Sequence, residues 1–215
     1  MDIPLEKKLK KKAHIGIARL QDELVQMLYS IDPKLVLHGG TCIWRCYGGG
    51  RFSEDLDFYI GGRKAGEIVR ELRISCKSRG LSVDKLKETQ NLIFGKISGA
   101  DAQVRVEINK RNFRKAAPLH YERADGSKII VMGLKVVDLL SEKANAYLSR
   151  KLIRDIYDVY FLSGLLKEGE KMPLEVKKML EKLPTPLDAQ NLGAIVYSGA
   201  VPAFEGMASM IRGRI

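Results

Sequence analysis

The sequence is poor in cysteine and contains no long hydrophobic run. Its 215 residues include three cysteines, and none of them has the CxxC or cysteine–histidine spacing of a zinc site. An odd cysteine count also argues against a secreted disulfide scaffold. No apolar stretch approaches the roughly 18 residues of a membrane span, and the N-terminal segment has no apolar signal-peptide core. We therefore expect a cytoplasmic protein without a signal peptide or membrane span.

Acidic residues are outnumbered by basic ones. The chain has 37 lysines and arginines against 26 aspartates and glutamates, which gives a formal net charge of +11. An excess of this size favours an anionic partner, such as nucleic acid or the phosphates of a nucleotide. The alternative is a lysine-rich surface that only keeps the protein soluble, and the lysines between Lys7 and Lys12 are compatible with both interpretations.

The hydrophobic pattern changes near residue 133. Before it, strand and helix patterns mix, and after it the pattern is helical. Strands are predicted at Leu35–Leu37, Leu56–Ile60, Leu81–Lys87, Leu92–Ser98, Gln103–Asn109 and Lys128–Met132. Helices are predicted at Pro4–Tyr29, Thr41–Tyr47, Lys64–Arg79, Lys135–Ser149, Leu152–Leu166, Leu174–Leu183, about 188–198 and 203–211. The sequence thus predicts an α+β domain over residues 1–133 and a helical domain over 134–215.

Two aspartates lie two residues apart at the start of a predicted strand. Asp55 and Asp57 come just before the apolar run Phe58–Ile60. Because side chains alternate along a strand, both carboxylates share one face. Paired carboxylates that face solvent suit a divalent cation better than a core. An isolated Asp-x-Asp is common on protein surfaces, but this one follows a glycine turn, and we predict that it binds metal.

The glycine turn joins a predicted strand to a predicted helix. Gly39, Gly40 and Thr41 would offer backbone N–H groups and a hydroxyl to a triphosphate at the helix N-terminus. The alternative is that the glycines serve only a backbone with positive φ. Arg51 and Ser53, in the segment that leads to the two aspartates, are also assigned to nucleotide binding.

A third carboxylate lies on the predicted strand 103–109. The apolar residues of this strand share one face, and Arg105 and Glu107 share the other. If the strand adjoins that of Asp55 and Asp57, Glu107 completes a carboxylate triad and helps to deprotonate an attacking hydroxyl. The alternative is an exposed glutamate paired with Arg105, which contributes little energy.

A fourth cluster lies on two predicted helices of the C-terminal half. Lys143 and Arg150 are seven residues apart on one helix, and Arg154, Asp155 and Asp158 begin the next. The cations would clamp triphosphate oxygens, and the two aspartates would orient them. The alternative is a network of ordinary ion pairs.

These segments together resemble a known family. They read Leu-His-Gly-Gly-Thr-Cys-Ile-Trp at 37–44, Gly-Gly-Arg-Phe-Ser-Glu-Asp-Leu-Asp-Phe at 49–58, Ser-Glu-Lys-Ala-Asn-Ala-Tyr-Leu-Ser-Arg at 141–150 and Arg-Asp-Ile-Tyr-Asp at 154–158. In this order they resemble the AbiEii/AbiGii toxin family of nucleotidyltransferase-like proteins, in the polymerase-β-like nucleotidyltransferase superfamily. The resemblance spans about residues 35–162.

The resemblance implies a mixed-sheet nucleotidyltransferase core followed by a helical domain. It implies a toxin of a toxin–antitoxin or phage-abortive system, and some members transfer nucleotides to tRNA 3′ ends. Carried onto this chain, it assigns the phosphate turn to Gly40 and Thr41, Mg²⁺ to Asp55 and Asp57, nucleotide phosphates to Lys143, and the helical-domain motif to Arg154, Asp155 and Asp158. The chain departs from the superfamily pattern by having threonine in the turn and by having Glu107 where aspartate is usual.

The resulting hypothesis is Mg²⁺-dependent transfer of a nucleoside monophosphate from an NTP to a hydroxyl of RNA, tested first at the tRNA 3′ end. The predicted catalytic residues are Asp55, Asp57, Glu107 and Lys143, and a cognate antitoxin is a predicted partner. Three alternatives remain open at this point. They are a nucleotidyltransferase acting on a small molecule or protein, a non-catalytic nucleotide- or RNA-binding protein, and a scaffold for an antitoxin.

Overall fold

A computed structural model describes residues 3–111, 113 and 115–215. The chain forms two compact units. The first contains the described residues up to Tyr47 and the segment Phe52–Leu134, and the second contains Gly48–Arg51 and Lys135–Ile215. The sequence-based domains, residues 1–133 and 134–215, stay a prediction. Within the described residues, no helix combines the length and the apolar composition needed to cross a bilayer.

The first unit is built on a mixed sheet. Its described residues form seven strands in the order β3-β4-β5-β2-β1-β7-β6. The strands are β1 (Val36–His38), β2 (Leu56–Tyr59), β3 (Ser82–Glu88), β4 (Leu92–Ser98), β5 (Gln103–Asn109), β6 (Ala117–Glu122) and β7 (Lys128–Gly133). β1 pairs with β7, and β2 with β5, in parallel, and the other pairs are antiparallel. The predicted α+β class with a mixed sheet is confirmed.

The strand predictions were best where alternation was clear. The predicted strands Leu92–Ser98 and Gln103–Asn109 coincide with β4 and β5 at both ends. β6 was not predicted from the sequence. It contains Pro118, which has no N–H for a ladder hydrogen bond. β6 lies at an edge of the sheet, where a strand tolerates proline.

Four helices accompany the sheet within the described part of the first unit. They are α1 (Leu5–Lys8), α2 (Lys12–Ile31), α3 (Gly39–Tyr47) and α4 (Ala65–Ser78). The prediction of one continuous helix over Pro4–Tyr29 was wrong, because Leu9 is extended and buried. Glu6, in the first turn of α1, donates its otherwise free N–H to the carbonyl of Ala124 at 2.9 Å, a tertiary contact that fixes this short helix.

Helices cover one face of the sheet. On the opposite face, the part formed by β3, β4 and β5 is exposed to solvent. α2 packs on β5, α4 packs on β3, and the two helices pack on each other. Alternate residues of β5 are buried, namely Val104, Val106 and Ile108. Arg105 is exposed and Glu107 is half-buried on the opposite face, as the alternation predicted. Chemistry carried by β5 is therefore confined to this second face.

The second unit is helical. Its described helices are α5 (Val136–Arg150), α6 (Ile153–Ser163), α7 (Leu174–Lys182), a 3-10 turn (Ala189–Asn191), α8 (Leu192–Ile195) and α9 (Phe204–Arg212). α5 packs on α6 and α7, and α6 packs on α9. The helix predicted near 188–198 is found as a 3-10 turn followed by α8, and it ends three residues earlier than predicted. The chain leaves α8 at Val196, which bridges to Arg51, and Tyr197 donates its N–H to the carbonyl of Gly50 at 3.0 Å.

Candidate active site

The turn between β1 and α3 brings the backbone against a carboxylate. Gly39 follows β1 directly and has φ +70°, in the left-handed region. A Cβ at Gly39 would overlap the Asp57 carboxylate. Glycine is therefore required here twice, for the backbone conformation and for the close approach of Asp57. Gly39, which was predicted to belong to a phosphate-binding turn, therefore also determines where Asp57, a predicted metal ligand, can lie.

A Gly39→Ala substitution should therefore displace Asp57. We expect about a hundred-fold loss of nucleotide transfer, the cost of moving a catalytic group by about 1 Å. Gly80→Ala is the matched control, because Gly80 also has φ +70° and no described atom lies within 4 Å of its Cβ position. Both variants should lose about 1–2 kcal/mol of stability from the backbone conformation. Equal loss of transfer in the two variants would contradict the steric argument.

Thr41 connects the turn to the strand of the aspartates. The helix begins two residues earlier than predicted, so Thr41 lies within its first turn. Its side chain is fully buried, and the hydroxyl donates to the backbone carbonyl of Asp55. In this structure the hydroxyl thus holds the start of β2 against α3. The groups of the turn that suit an anion are the backbone N–H groups of the first helical turn, which have no intrahelical acceptor.

The three predicted carboxylates belong to adjacent strands. Asp55 immediately precedes β2, Asp57 lies within β2, and Glu107 lies directly opposite Asp57 on β5. The structure thus meets the condition of neighbouring strands. The pKa of Glu107 is raised, first by burial and then by the negative charge of Asp57, with Asp55 adding to the effect. The negative charges of the three carboxyl groups thus act against one another, and a bound cation would relieve this repulsion.

Arg105 lies among these carboxylates. It forms an ion pair with Asp55, and its Nε lies 3.4 Å from Oε1 of Glu107. The sequence analysis gave Arg105 as an alternative partner of Glu107 and missed its contact with Asp55. Within the described residues, no three acidic, histidine or cysteine side chains converge closely enough to hold an ion. The donor set nevertheless fits Mg²⁺, because carboxylate oxygens are its preferred protein ligands.

In the second unit, Arg51 and charged side chains of α5 and α6 form a network that is buried except at Arg150. Nζ of Lys143 lies 2.9 Å from Asp158 Oδ2 and 3.6 Å from Asp155 Oδ1. Arg150 donates from Nε and Nη2 to the two oxygens of Asp155, at 2.6 and 2.7 Å. Arg51 likewise donates from Nε and Nη2 to the two carboxylate oxygens of Asp158, at 2.6 and 2.5 Å. Three cations thus surround two anions.

The sequence left two interpretations open, a set of ordinary ion pairs and a group of cations oriented by aspartates. The network is compatible with both, because its ion pairs also fix the positions of the cations. The pKa of Asp158 is lowered. Burial acts to raise it, but the positive charges of Arg51 and Lys143 lower it more. Arg154, at the start of α6, is half-buried and makes no ion pair with any residue that the structure describes. Its guanidinium therefore has bonding capacity for an anionic ligand.

The two residues predicted to bind nucleotide from the segment before Asp55 differ in environment. Arg51 is buried and fully engaged with Asp158 through its fork, so in this structure it supports the network. Ser53 is half-buried, and its backbone carbonyl accepts a hydrogen bond of 2.9 Å from the side chain of Gln21 on α2. Arg51 belongs to the second unit and Ser53 to the first.

Comparison with known proteins agrees with this architecture. JHP933 from Helicobacter pylori is 18% identical and has a TM-score of 0.63, and the match covers 95% of this chain and 90% of that one. The nucleotidyltransferase toxin MenT4 from Mycobacterium tuberculosis is also 18% identical, with a TM-score of 0.60 and coverage of 98% and 85%. At this identity, the similarity shows a shared fold. No protein of curated function matches the sequence.

The sequence itself matches a family over most of its length. Residues 24–191 fit the family described as nucleotidyl transferase AbiEii toxin, type IV toxin–antitoxin system. The matched region contains the glycine turn, the three carboxylates and the network around Lys143. The chain therefore belongs to the AbiEii toxin family and is a nucleotidyltransferase of the toxin type.

Proposed function

We propose that this protein transfers a nucleoside monophosphate from an NTP to a hydroxyl group of RNA, with Mg²⁺ as the metal ion. The observation that carries the proposal is the parallel register of β2 and β5, which sets Glu107 opposite Asp57 and beside Asp55. These carboxylates would hold Mg²⁺, which when bound neutralises phosphate charge and lowers the pKa of a nearby hydroxyl. For Asp55 to serve as a ligand, its ion pair with Arg105 has to open.

The reaction balances without any further reagent. The acceptor oxygen forms a bond to the α-phosphorus of the NTP, and the bond from that phosphorus to the bridging oxygen breaks. Pyrophosphate leaves with the bonding electrons, and Glu107 accepts the proton of the acceptor hydroxyl. Catalysis otherwise consists of positioning and charge stabilisation.

The nucleotide phosphates require donors in addition to the metal. We assign backbone N–H groups of Gly40 and Thr41 to this role, because α3 is long enough to carry a dipole and its first turn is rich in glycine. In the second unit, Lys143 and Arg154 are proposed to contact nucleotide phosphates. Lys143 is held by two aspartates, and Arg154 has no ion-pair partner among the described residues.

One feature supports RNA as the acceptor, and another supports an antitoxin as a partner. The net charge of +11 favours a polyanionic acceptor, and the 3′ end of tRNA is the acceptor to test first. The description of the family as a type IV toxin–antitoxin system supports a cognate antitoxin that opposes this activity.

The proposal is tested by incubating the purified protein with each α-labelled NTP, Mg²⁺ and total cellular RNA. We expect label on a discrete RNA species, and none with the Asp55→Ala/Asp57→Ala variant or with EDTA. Transfer of the label to protein or to a small molecule would show that the acceptor is not RNA. Bound NTP without any pyrophosphate release under these conditions would contradict the proposed transfer.

A further inference from the structure

The open face of the sheet carries a row of basic side chains next to the carboxylates. Lys85 of β3 lies directly opposite Lys96 of β4, and Lys96 lies directly opposite Arg105 of β5. Arg105 in turn contacts Asp55. The row therefore runs from the edge strand β3 to the proposed catalytic group, across strands that are about 4.8 Å apart.

A second row lies beside the first on the same face. Lys87 of β3 is opposite Phe94 of β4, Phe94 is opposite Glu107 of β5, and Glu107 is opposite Asp57 of β2. The three lysines are exposed, and the Phe94 ring is half-exposed. We name Lys85, Lys87, Lys96 and Phe94 together the sheet track.

The lysines of the sheet track are not explained by the stability of the sheet. Like charges directly opposite one another on neighbouring strands are destabilising. The acids of the edge strand have other direct partners. Asp84 accepts hydrogen bonds from Ser82, Ser98 and Gln103, with Lys96 acting on it only as a more distant charge, and Glu88 pairs with Lys110 at 2.6 Å. In the part of the chain that the structure describes, no acid lies within ion-pair distance of the three lysines.

Protection of an exposed edge strand accounts for only part of this pattern. Lysines on an edge strand prevent pairing with other chains, and Lys85 and Lys87 fit that role. Lys96 does not, because it lies on β4, which is paired on both sides. Edge protection also does not require an aromatic ring between the lysines.

Phe94 indicates which kind of anion fits. The Lys85 ammonium lies 5.1 Å from the centroid of the Phe94 ring, so a cation and a flat apolar surface are adjacent. Single-stranded nucleic acid is bound by this combination, in which lysines contact phosphates and aromatic rings stack on bases. An acidic peptide would use the lysines but offers no base for the ring.

We infer that the sheet track binds the single-stranded 3′ end of the RNA acceptor and leads its terminal hydroxyl to the carboxylates of β2 and β5. Lys85, Lys87 and Lys96 contact phosphates, and Phe94 stacks under a base near the end of the strand. Lys85 leaves the ring when the base arrives, which its flexible side chain allows. The inference rests on the proposed nucleotidyl transfer, and it adds where the acceptor lies.

The charge part of the inference is tested by the salt dependence of RNA binding. A fluorescent single-stranded RNA is titrated with full-length protein at several salt concentrations, without NTP. Each lost phosphate contact lowers the slope of log K against log salt by about 0.7, so Lys85→Ala/Lys96→Ala should lower it by about 1.4. The control is Lys177→Ala/Lys178→Ala, which removes two exposed lysines of α7 and should leave the slope unchanged. Equal slopes for the wild type and the track variant would overturn the inference.

The stacking part has a different signature. Phe94→Leu keeps an apolar side chain but removes the flat ring, so we expect about a ten-fold loss of RNA affinity with an unchanged salt slope. Polyglutamate provides the comparison with an acidic peptide. If it competes for the wild-type protein as well as RNA does, or if Phe94→Leu binds RNA with wild-type affinity, the assignment to nucleic acid is overturned.

Binding of a fluorescent NTP separates this inference from the proposed function. The track variants should bind NTP and Mg²⁺ as the wild type does, and they should transfer nucleotide to RNA poorly. A loss of NTP binding in the lysine variant would overturn the inference by assigning these lysines to the nucleotide. A wild-type protein that binds and hydrolyses NTP but binds no RNA would overturn it as well, while leaving a transfer to another acceptor in place. Thermal unfolding of each variant checks that the fold is retained.

Discussion

An Asp57→Asn variant should transfer nucleotide at least about a thousand-fold more slowly than the wild type. A metal ligand of this kind supplies several kcal/mol of charge stabilisation in the transition state, and about 1.4 kcal/mol corresponds to a factor of ten in rate. Asparagine has nearly the shape of aspartate, so the register of β2 with β5 and the packing against Gly39 are kept. The loss is therefore expected in the chemistry and not in the fold.

The stability of the same variant should change little. In the wild type, the negative charge of Asp57 helps to raise the pKa of Glu107, which means that the two carboxylates repel each other, and the same charge attracts Arg105. Removing the charge removes both effects, so the midpoint of thermal unfolding should stay close to that of the wild type. A loss of activity without a loss of stability is typical of a group retained for function.

The measurement is single-turnover transfer of labelled nucleotide, with thermal unfolding followed by circular dichroism. Asp101→Asn is the matched control, because Asp101 is an exposed aspartate of the same unit and should tolerate the change. Transfer by Asp57→Asn within ten-fold of the wild type would remove the β2 carboxylates from the proposed catalytic group.

The local part of this site was readable from the sequence. The i, i+2 spacing of Asp55 and Asp57 and the alternation in residues 103–109 depend only on the period of a strand, and the burial pattern of β5 follows it. Whether β5 lies beside β2 is a different question, because the two strands pair in parallel across a long crossover. From the sequence, the place of Glu107 beside Asp57 was therefore only conditional, and the pairing of β2 with β5 meets the condition.

Tertiary contacts decided the features that the sequence analysis did not predict. Arg105 reaches along the face to Asp55, a contact between residues 50 positions apart. The hydroxyl of Thr41 is used by a carbonyl of the incoming strand. The first helix is interrupted at Leu9, which is extended and buries its side chain. In each case a polar group or an apolar side chain takes a partner from a distant segment, and no local pattern encodes that partner.

In the network of the second unit, too, the local helical pattern was predicted and the long-range partners were not. The spacing of Lys143 and Arg150 on α5 and the start of α6 near Arg154 were predicted from helical periodicity. Arg51 was predicted to bind the nucleotide. The structure instead pairs it with Asp158, a residue 107 positions away, through a buried fork.

An Asp158→Ala variant should lose about 3–5 kcal/mol of stability, because breaking a buried ion pair leaves an uncompensated buried charge. Here Arg51 and Lys143 are both buried, and both contact Asp158. The variant Arg51→Met/Asp158→Leu should recover part of this loss, because apolar side chains of similar volume often replace a buried pair without cost. Chemical unfolding of this double variant and of its two single variants, Arg51→Met and Asp158→Leu, followed by circular dichroism, gives the double-mutant cycle. Additive single and double changes would show that the two side chains do not interact.

The same pair predicts how stability depends on pH. Burial acts to raise the pKa of Asp158, and the positive charges of Arg51 and Lys143 more than offset it, so the pKa is lower in the folded than in the unfolded chain. The ionised carboxylate therefore stabilises folding above its ordinary range, and this contribution is lost as the pH falls through the folded value. The stability difference between wild type and Asp158→Ala should be full near neutral pH and should shrink in acid. A difference that stays constant into strong acid would mean that the charge of Asp158 does not stabilise the network, and that its role there is packing alone.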